Sequence, residues 1–199
     1  MERYGIVADE VIYGLLIRIY GKLGLYEDAQ KTFEEVEKLG LLSDQKTYTT
    51  MAQVHLHFGS FDKALSLMEK MKFVNILSSR LALIVLLQCH VKKEDLASAE
   101  TTFQALSKTG PPDAGSCNFM LNLFMKLDLI ERAKHFAMKI RKDQVEFDME
   151  LLKTVMKVYC KEGMITDAKN LIDDLCRTKI HKRCFNNCVH HQYYMSRII

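Results

Sequence analysis

An all-α fold is predicted, a right-handed α-solenoid built from antiparallel helix-turn-helix units of about 35 residues. The first observation behind it is a period. Ala29, Ala64, Ala99, Ala133 and Ala168 follow one another at intervals of 35, 35, 34 and 35 residues. The second is that neighbouring columns keep their chemistry. Nine residues before each alanine stands a ring (Tyr20, His55, His90, Phe124, Tyr159), three before it an apolar group (Tyr26, Phe61, Leu96, Ile130, Ile165), and seven after it another (Val36, Met71, Leu106, Ile140, Leu175). The third is the lack of strand-like alternation in a chain whose only prolines are Pro111 and Pro112.

The period divides the chain into the end of a preceding repeat (1–9), repeats at 10–44, 45–79, 80–113 and 114–148, an incomplete fifth at 149–180, and a divergent tail at 181–199. Gly5 and Asp9 align with Gly40 and Asp44, so the chain reads as beginning in mid-repeat.

Each unit holds two helical stretches. In the first, Ile12, Leu15, Leu16 and Ile19 recur at helical spacing after Asp9, whose carboxylate can accept from the free amides of a first turn. Lys22-Leu23-Gly24 ends this helix, because glycine readily takes the left-handed conformation that stops one. Gly59 and Gly163 occupy the same column, with Glu94 and Asp128 there in the other two units. Glu27 and Asp28 open the second helix at the positive end of its dipole, and Ala29, Phe33 and Val36 share one of its faces. Gly40 closes it and Asp44 caps the next unit. The alanine column lets two antiparallel helices approach closely, while the ring column and large apolar groups fill the space beside it.

An apolar share of 48% supports a buried core. The longest apolar run, Leu81–Leu87, is too short to span a bilayer, and the N-terminus has no apolar signal core. The cysteines are scattered, which disfavours a disulfide framework; Cys89, Cys117 and Cys160 fall within helical patterns and are expected to pack as small apolar groups.

Two polar columns point to an anion. Seven residues before each alanine lie Lys22, His57, Lys92, Lys126 and Lys161, a basic or ionisable group near the end of every first helix. Stacked units would turn them into a stripe giving sequence-independent, salt-sensitive affinity for phosphates; each could equally stabilise a helix C-terminus. Four residues earlier come Arg18, Gln53, Gln88, Asn122 and Lys157, all polar and none acidic. The second helices carry acidic runs (Glu34, Glu35, Glu37; Asp173, Asp174), as expected of an outer surface.

The stretch YGLLIRIYGKLGLYEDAQKTFEEVEKLGLLSD (13–44) resembles the plant-type pentatricopeptide repeat, and the pattern recurs in SFDKALSLMEKM (60–71), LASAETTFQAL (96–106) and CKEGMITDAKNLIDDL (160–175). The resemblance covers about residues 1–176. Tetratricopeptide repeats share the hairpin, but their Trp and Leu-Gly signature is missing, and the Gly-x-x-x-Asp ending is more similar to the pentatricopeptide form.

The resemblance implies single-stranded RNA binding, about one base per repeat, in organellar RNA processing, stability or translation. It implies base-reading positions at the fifth and last residues of each unit: Gly14 with Asp44, Thr49 with Ser79, Ile84 with Asp113, Asn118 with Asp148, and Lys153 in the fifth. Asn118 with Asp148 matches a standard pair of the family that favours uracil. Ile84 and Gly14 have no polar group for a base edge, and Asp9, Asp44, Asp113 and Asp148 also stand where helix caps belong. The lysine column resembles one that meets the RNA backbone.

The tandem looks like the pure class, without an editing-type extension, destined for chloroplast or mitochondrion with the chloroplast ahead. A monomer is expected, with organellar single-stranded RNA as partner and no membrane, cofactor or metal. The alternative is a protein-interaction scaffold with protein partners, using the same concave surface. In the tail, Cys184, Cys188, His181, His190 and His191 fit no common structural zinc spacing. No phosphate-binding glycine loop, His-Glu-x-x-His or elbow serine is present, so the chain reads as a binder and not an enzyme.

Overall fold

The computed structural model describes residues 9–42, 45–73 and 79–177. Among them are ten helices and no strand: α1 (Glu10–Leu23), α2 (Tyr26–Lys38), α3 (Gln45–His57), α4 (Phe61–Phe73), α5 (Arg80–Lys92), α6 (Leu96–Lys108), α7 (Ala114–Lys126), α8 (Ile130–Lys142), α9 (Met149–Lys161) and α10 (Ile165–Arg177). They fall into two compact units, the first ending at Pro112 and the second starting at Asp113.

In the first unit α1 pairs with α2, α3 with α4 and α5 with α6, each across a link of a few residues that forces the chain to reverse. The odd helices also pack side by side, α1 on α3 and α3 on α5. In the second unit α7 pairs with α8 and α9 with α10, and α7 packs on α9.

The alanine column is buried within the helix pairs, as close approach of the two helices demands. Ala29, Ala64, Ala99 and Ala133 are wholly buried and Ala168 nearly so. Val36, Met71, Leu106 and Ile140 are buried beside them, as are His55, Phe124 and Tyr159 of the ring column. Ala64 sits in a core cluster with Phe33, Met51, Met68 and Met71. Ala64→Leu should overpack this cluster and destabilise the first unit by about 1–3 kcal/mol, read from urea unfolding. An unchanged midpoint would show that the hairpin has room there.

Every first helix ends the same way. Gly24 (φ 78°), Gly59 (φ 75°) and Gly163 (φ 65°) are left-handed, and so are Glu94 (φ 60°) and Asp128 (φ 57°). The amide after each reaches back to the carbonyl of the ring column: Leu25 to Tyr20, Ser60 to His55, Asp95 to His90, Leu129 to Phe124 and Met164 to Tyr159, at 2.8–3.0 Å. This closure satisfies carbonyls that a helix end leaves open, and it turns the chain into the second helix. A side chain in this conformation costs about 1–2 kcal/mol, which glycine avoids. Asp128→Gly should therefore raise stability by about 1 kcal/mol; a lowered melting temperature would contradict that reading.

The cysteines divide. Cys89 and Cys117 are buried, and burial pushes their thiols up to about 11 and about 12. Cys160 is exposed, contrary to the expectation of packing, because it shares the exposed face of α9 with Lys153, Lys157 and Lys161. No described helix is long and apolar enough to cross a membrane. The tail positions weighed for zinc lie outside the described residues, as does Asp44.

Candidate nucleic-acid interface

Each odd helix presents three columns at spacings of four residues, which place them on one face. In α1 these are Gly14, Arg18 and Lys22; in α3, Thr49, Gln53 and His57; in α5, Ile84, Gln88 and Lys92; in α7, Asn118, Asn122 and Lys126; in α9, Lys153, Lys157 and Lys161. The face grades along the helix. Residues near the start of α3, α5 and α7 are buried or half-buried, while the terminal column is exposed in all five helices. Because α1, α3 and α5 lie side by side, Lys22, His57 and Lys92 form one row in the first unit. Lys126 and Lys161 form another in the second, through the packing of α7 on α9.

The acidic residues of the odd helices are Glu10 and Glu150 alone, both in first turns. There they face the helix dipole, away from the terminal cations. Glu150 is also bound to Lys153 at 2.8 Å, which holds its carboxyl below the usual range.

The base-reading candidates differ sharply in what their side chains have left to offer. Thr49 is 1% exposed, and its hydroxyl donates to the carbonyls of Gln45 (2.7 Å) and Lys46 (3.0 Å). Its side chain is thus absorbed by its own helix. Ser79 caps α5 by accepting from the Ala82 amide at 3.2 Å. Asp113 caps α7, accepting from the Ser116 amide at 2.8 Å and the Ser116 hydroxyl at 3.1 Å. Asp148 caps α9 from the Leu151 amide at 2.7 Å, as Asp9 caps α1 from Ile12 at 2.9 Å.

Lys153 is exposed but held by Glu150. Ile84 is half-buried and apolar. Gly14 approaches α3, and a Cβ there would stand 3.4 Å from Thr47 Oγ1. It lines a shallow hollow of about 150 Å³ with Leu15, Arg18 and Thr50.

Asn118 is the exception. Its Oδ1 is buried and accepts no hydrogen bond among the described residues, while its backbone carbonyl accepts from Asn122 Nδ2 at 2.9 Å. A buried acceptor left unmatched costs about 1–3 kcal/mol, so the site gains when a donor arrives. Asp148, its partner in the reading by position, is exposed and uses only Oδ1 in capping, so its second oxygen faces solvent.

One sequence expectation fails on the even helices. Acidic runs do occupy α2 and α10, but α8 carries Arg132, Lys134, Lys139, Arg141 and Lys142 against the single Glu131.

Comparison with known proteins places these features. A family model described as PPR repeat matches residues 11–41, 46–76 and 152–180. The pentatricopeptide repeat-containing protein At5g27270 of Arabidopsis thaliana is 59% identical over 83 residues, 42% of this chain but only 8% of that protein. Among solved structures, maize PPR10 in complex with an 18-nt psaJ RNA element aligns with a TM-score of 0.68 at 20% identity, over 87% of this chain and 26% of that one. The PPR domain of Arabidopsis thaliana protein-only RNase P 1, in complex with tRNA, aligns with a TM-score of 0.69 at 14% identity, over 85% and 90%. The chain thus spans a small part of the curated relative and of maize PPR10. Paired helices closed on a ring-column carbonyl, the buried alanine column and the matched repeats agree: the chain belongs to the pentatricopeptide repeat family.

Proposed function

We propose that this chain binds single-stranded RNA along the odd-helix faces, as part of a plant organellar protein acting in RNA processing, stability or translation. The observation that carries the reading is the exposed cation, or histidine, at one position of all five odd helices, on faces whose acidic residues are confined to first turns. Point charges at a fixed spacing suit a phosphate backbone, and the polar column beside them can hydrogen-bond sugars and base edges.

Asn118 with Asp148 reads one base. The unmatched Oδ1 of Asn118 would accept from a ring N–H, which fits uracil. Thr49 serves its helix instead of a base. The relative's plant origin and the RNA in both solved complexes support the reading. The mechanism is steric and recruiting, carried out by a monomer without chemistry of its own.

A salt titration tests it. Binding of labelled single-stranded RNA should weaken steeply with salt, with a slope of log K against log salt near −0.7 for each phosphate neutralised, about −3 for five partly occupied contacts. Binding that ignores salt, or none at low salt, would favour a protein-interaction scaffold.

A further inference from the structure

We propose that the outward face of α8 is a second contact site for a nucleic-acid phosphodiester backbone, separate from the odd-helix faces. Arg132, His135, Lys139 and Lys142 follow one another at spacings of three, four and three residues, which lays them in a single row about 15 Å long. All four are exposed. The opposite face of the helix, with Ala133, Ala137 and Ile140, is buried.

Within the row Arg132 lies over the Phe124 ring, 5.1 Å from its centroid, and the remaining cations of α8 form ion pairs. Lys134 reaches Glu162 (3.5 Å) and Glu131 (3.6 Å), which also turns the helix's one acid towards a partner. Arg141 pairs with Asp174. Lys139 and Lys142 form no ion pair among the described residues. Two further carboxylates lie near the row: Asp143 just past its end, and Asp167 in the hollow that Lys142 helps to line.

The composition of the face selects the ligand. Cores of protein interfaces are apolar and poor in lysine. Met138, 49% exposed, is the sole large apolar group of α8 standing out from the surface. Three cations and a histidine at about one per helical turn, with a single exposed methionine beside them, match the regular charges of a phosphate backbone better than an apolar partner. No base-reading geometry is present, so the contact is independent of sequence. The inference rests on the reading that this chain binds RNA. The backbone could be the flank of the strand held by the odd helices or a separate nucleic acid.

The test uses Lys139→Gln/Lys142→Gln in the full chain, with Lys31→Gln/Lys38→Gln on α2 as the charge-matched control. Three probes separate the surfaces: a single strand of about eight nucleotides, the same strand extended by a stem, and the free stem as competitor. The α8 variant should bind the short strand within about twofold of wild type, yet lose roughly tenfold or more on the extended RNA, with a salt slope shallower by about 1.4. Loss only on the extended RNA, undiminished by free stem, assigns the flank; competition by free stem assigns a separate molecule. Equal loss in the α2 control, equal loss on the short strand, or no loss on the extended RNA would each overturn the proposal. Absence of wild-type binding to the short strand alone would instead count against the odd-helix reading, leaving the α8 comparison on the extended RNA intact.

Discussion

Acidification from neutral pH to about 4.5 should strip the first unit of up to about 3 kcal/mol of stability, and His55→Phe should remove most of that loss. His55 is buried in α3, where its Nδ1 meets the Tyr26 hydroxyl at 3.0 Å. Lys63 donates to the same hydroxyl at 3.4 Å and lies over the Tyr26 ring. With Lys63 donating to that oxygen, the Tyr26 hydroxyl is free to donate to Nδ1 of a neutral imidazole in its Nε2–H tautomer. Burial first, and the Lys63 charge second, lower the imidazole from 6.5 to about 4.

The sign follows from proton uptake. Between these two values the unfolded chain binds a proton at this position and the folded one does not, so stability is full above pH 6.5 and falls as pH drops towards 4. Phenylalanine is a reasonable replacement because Phe124 occupies the equivalent place in α7. It forfeits the hydrogen bond to Tyr26, about 1 kcal/mol at neutral pH, but has nothing to titrate. Urea midpoints at pH 7 and pH 4.5 decide the matter. Equal acid losses in wild type and variant would show that carboxylates elsewhere, and not this imidazole, govern the window.

Lys92→Ala with Lys126→Ala should weaken single-stranded RNA binding about 25-fold at about 0.1 M salt and hardly at all near 1 M. Two phosphate contacts carry a slope of about 1.4 in log K against log salt, and a tenfold change in salt converts that slope into the loss quoted. Both side chains are exposed at helix ends, where each contributes a dipole interaction of about 0.3–1 kcal/mol. The two possible roles of the column therefore separate cleanly. A helix-end role lowers melting temperature and leaves the salt slope alone; a phosphate role changes the slope.

Much of the fold was legible because repetition multiplies weak signals. One alanine on a helix says little, but five at a common interval fix where the helices cross, and they are buried as that argument requires. The stop after each first helix was legible from Gly24, Gly59 and Gly163. Glu94 and Asp128 lack glycine's freedom in that conformation, and the period alone marks them as equivalent.

The candidate site was less legible, since a column number gives a direction on a helix but not a depth. Thr49 and Asn118 share a column, yet one is sealed by its own backbone and the other keeps an unmatched oxygen. Cys160 turned outward for the same reason. The basic character of α8 is written in its composition, and it breaks the acidic pattern that α2 and α10 set for the even helices.

The proposed path of the RNA runs along the odd helices. Ultraviolet crosslinking of the bound complex, with nucleotide adducts located by mass spectrometry, tests it directly. Adducts should concentrate on peptides from α3, α5, α7 and α9, with Asn118 or its neighbours among the modified positions. Adducts confined to α2, α4, α6 and α10, with the odd helices clean, would contradict it.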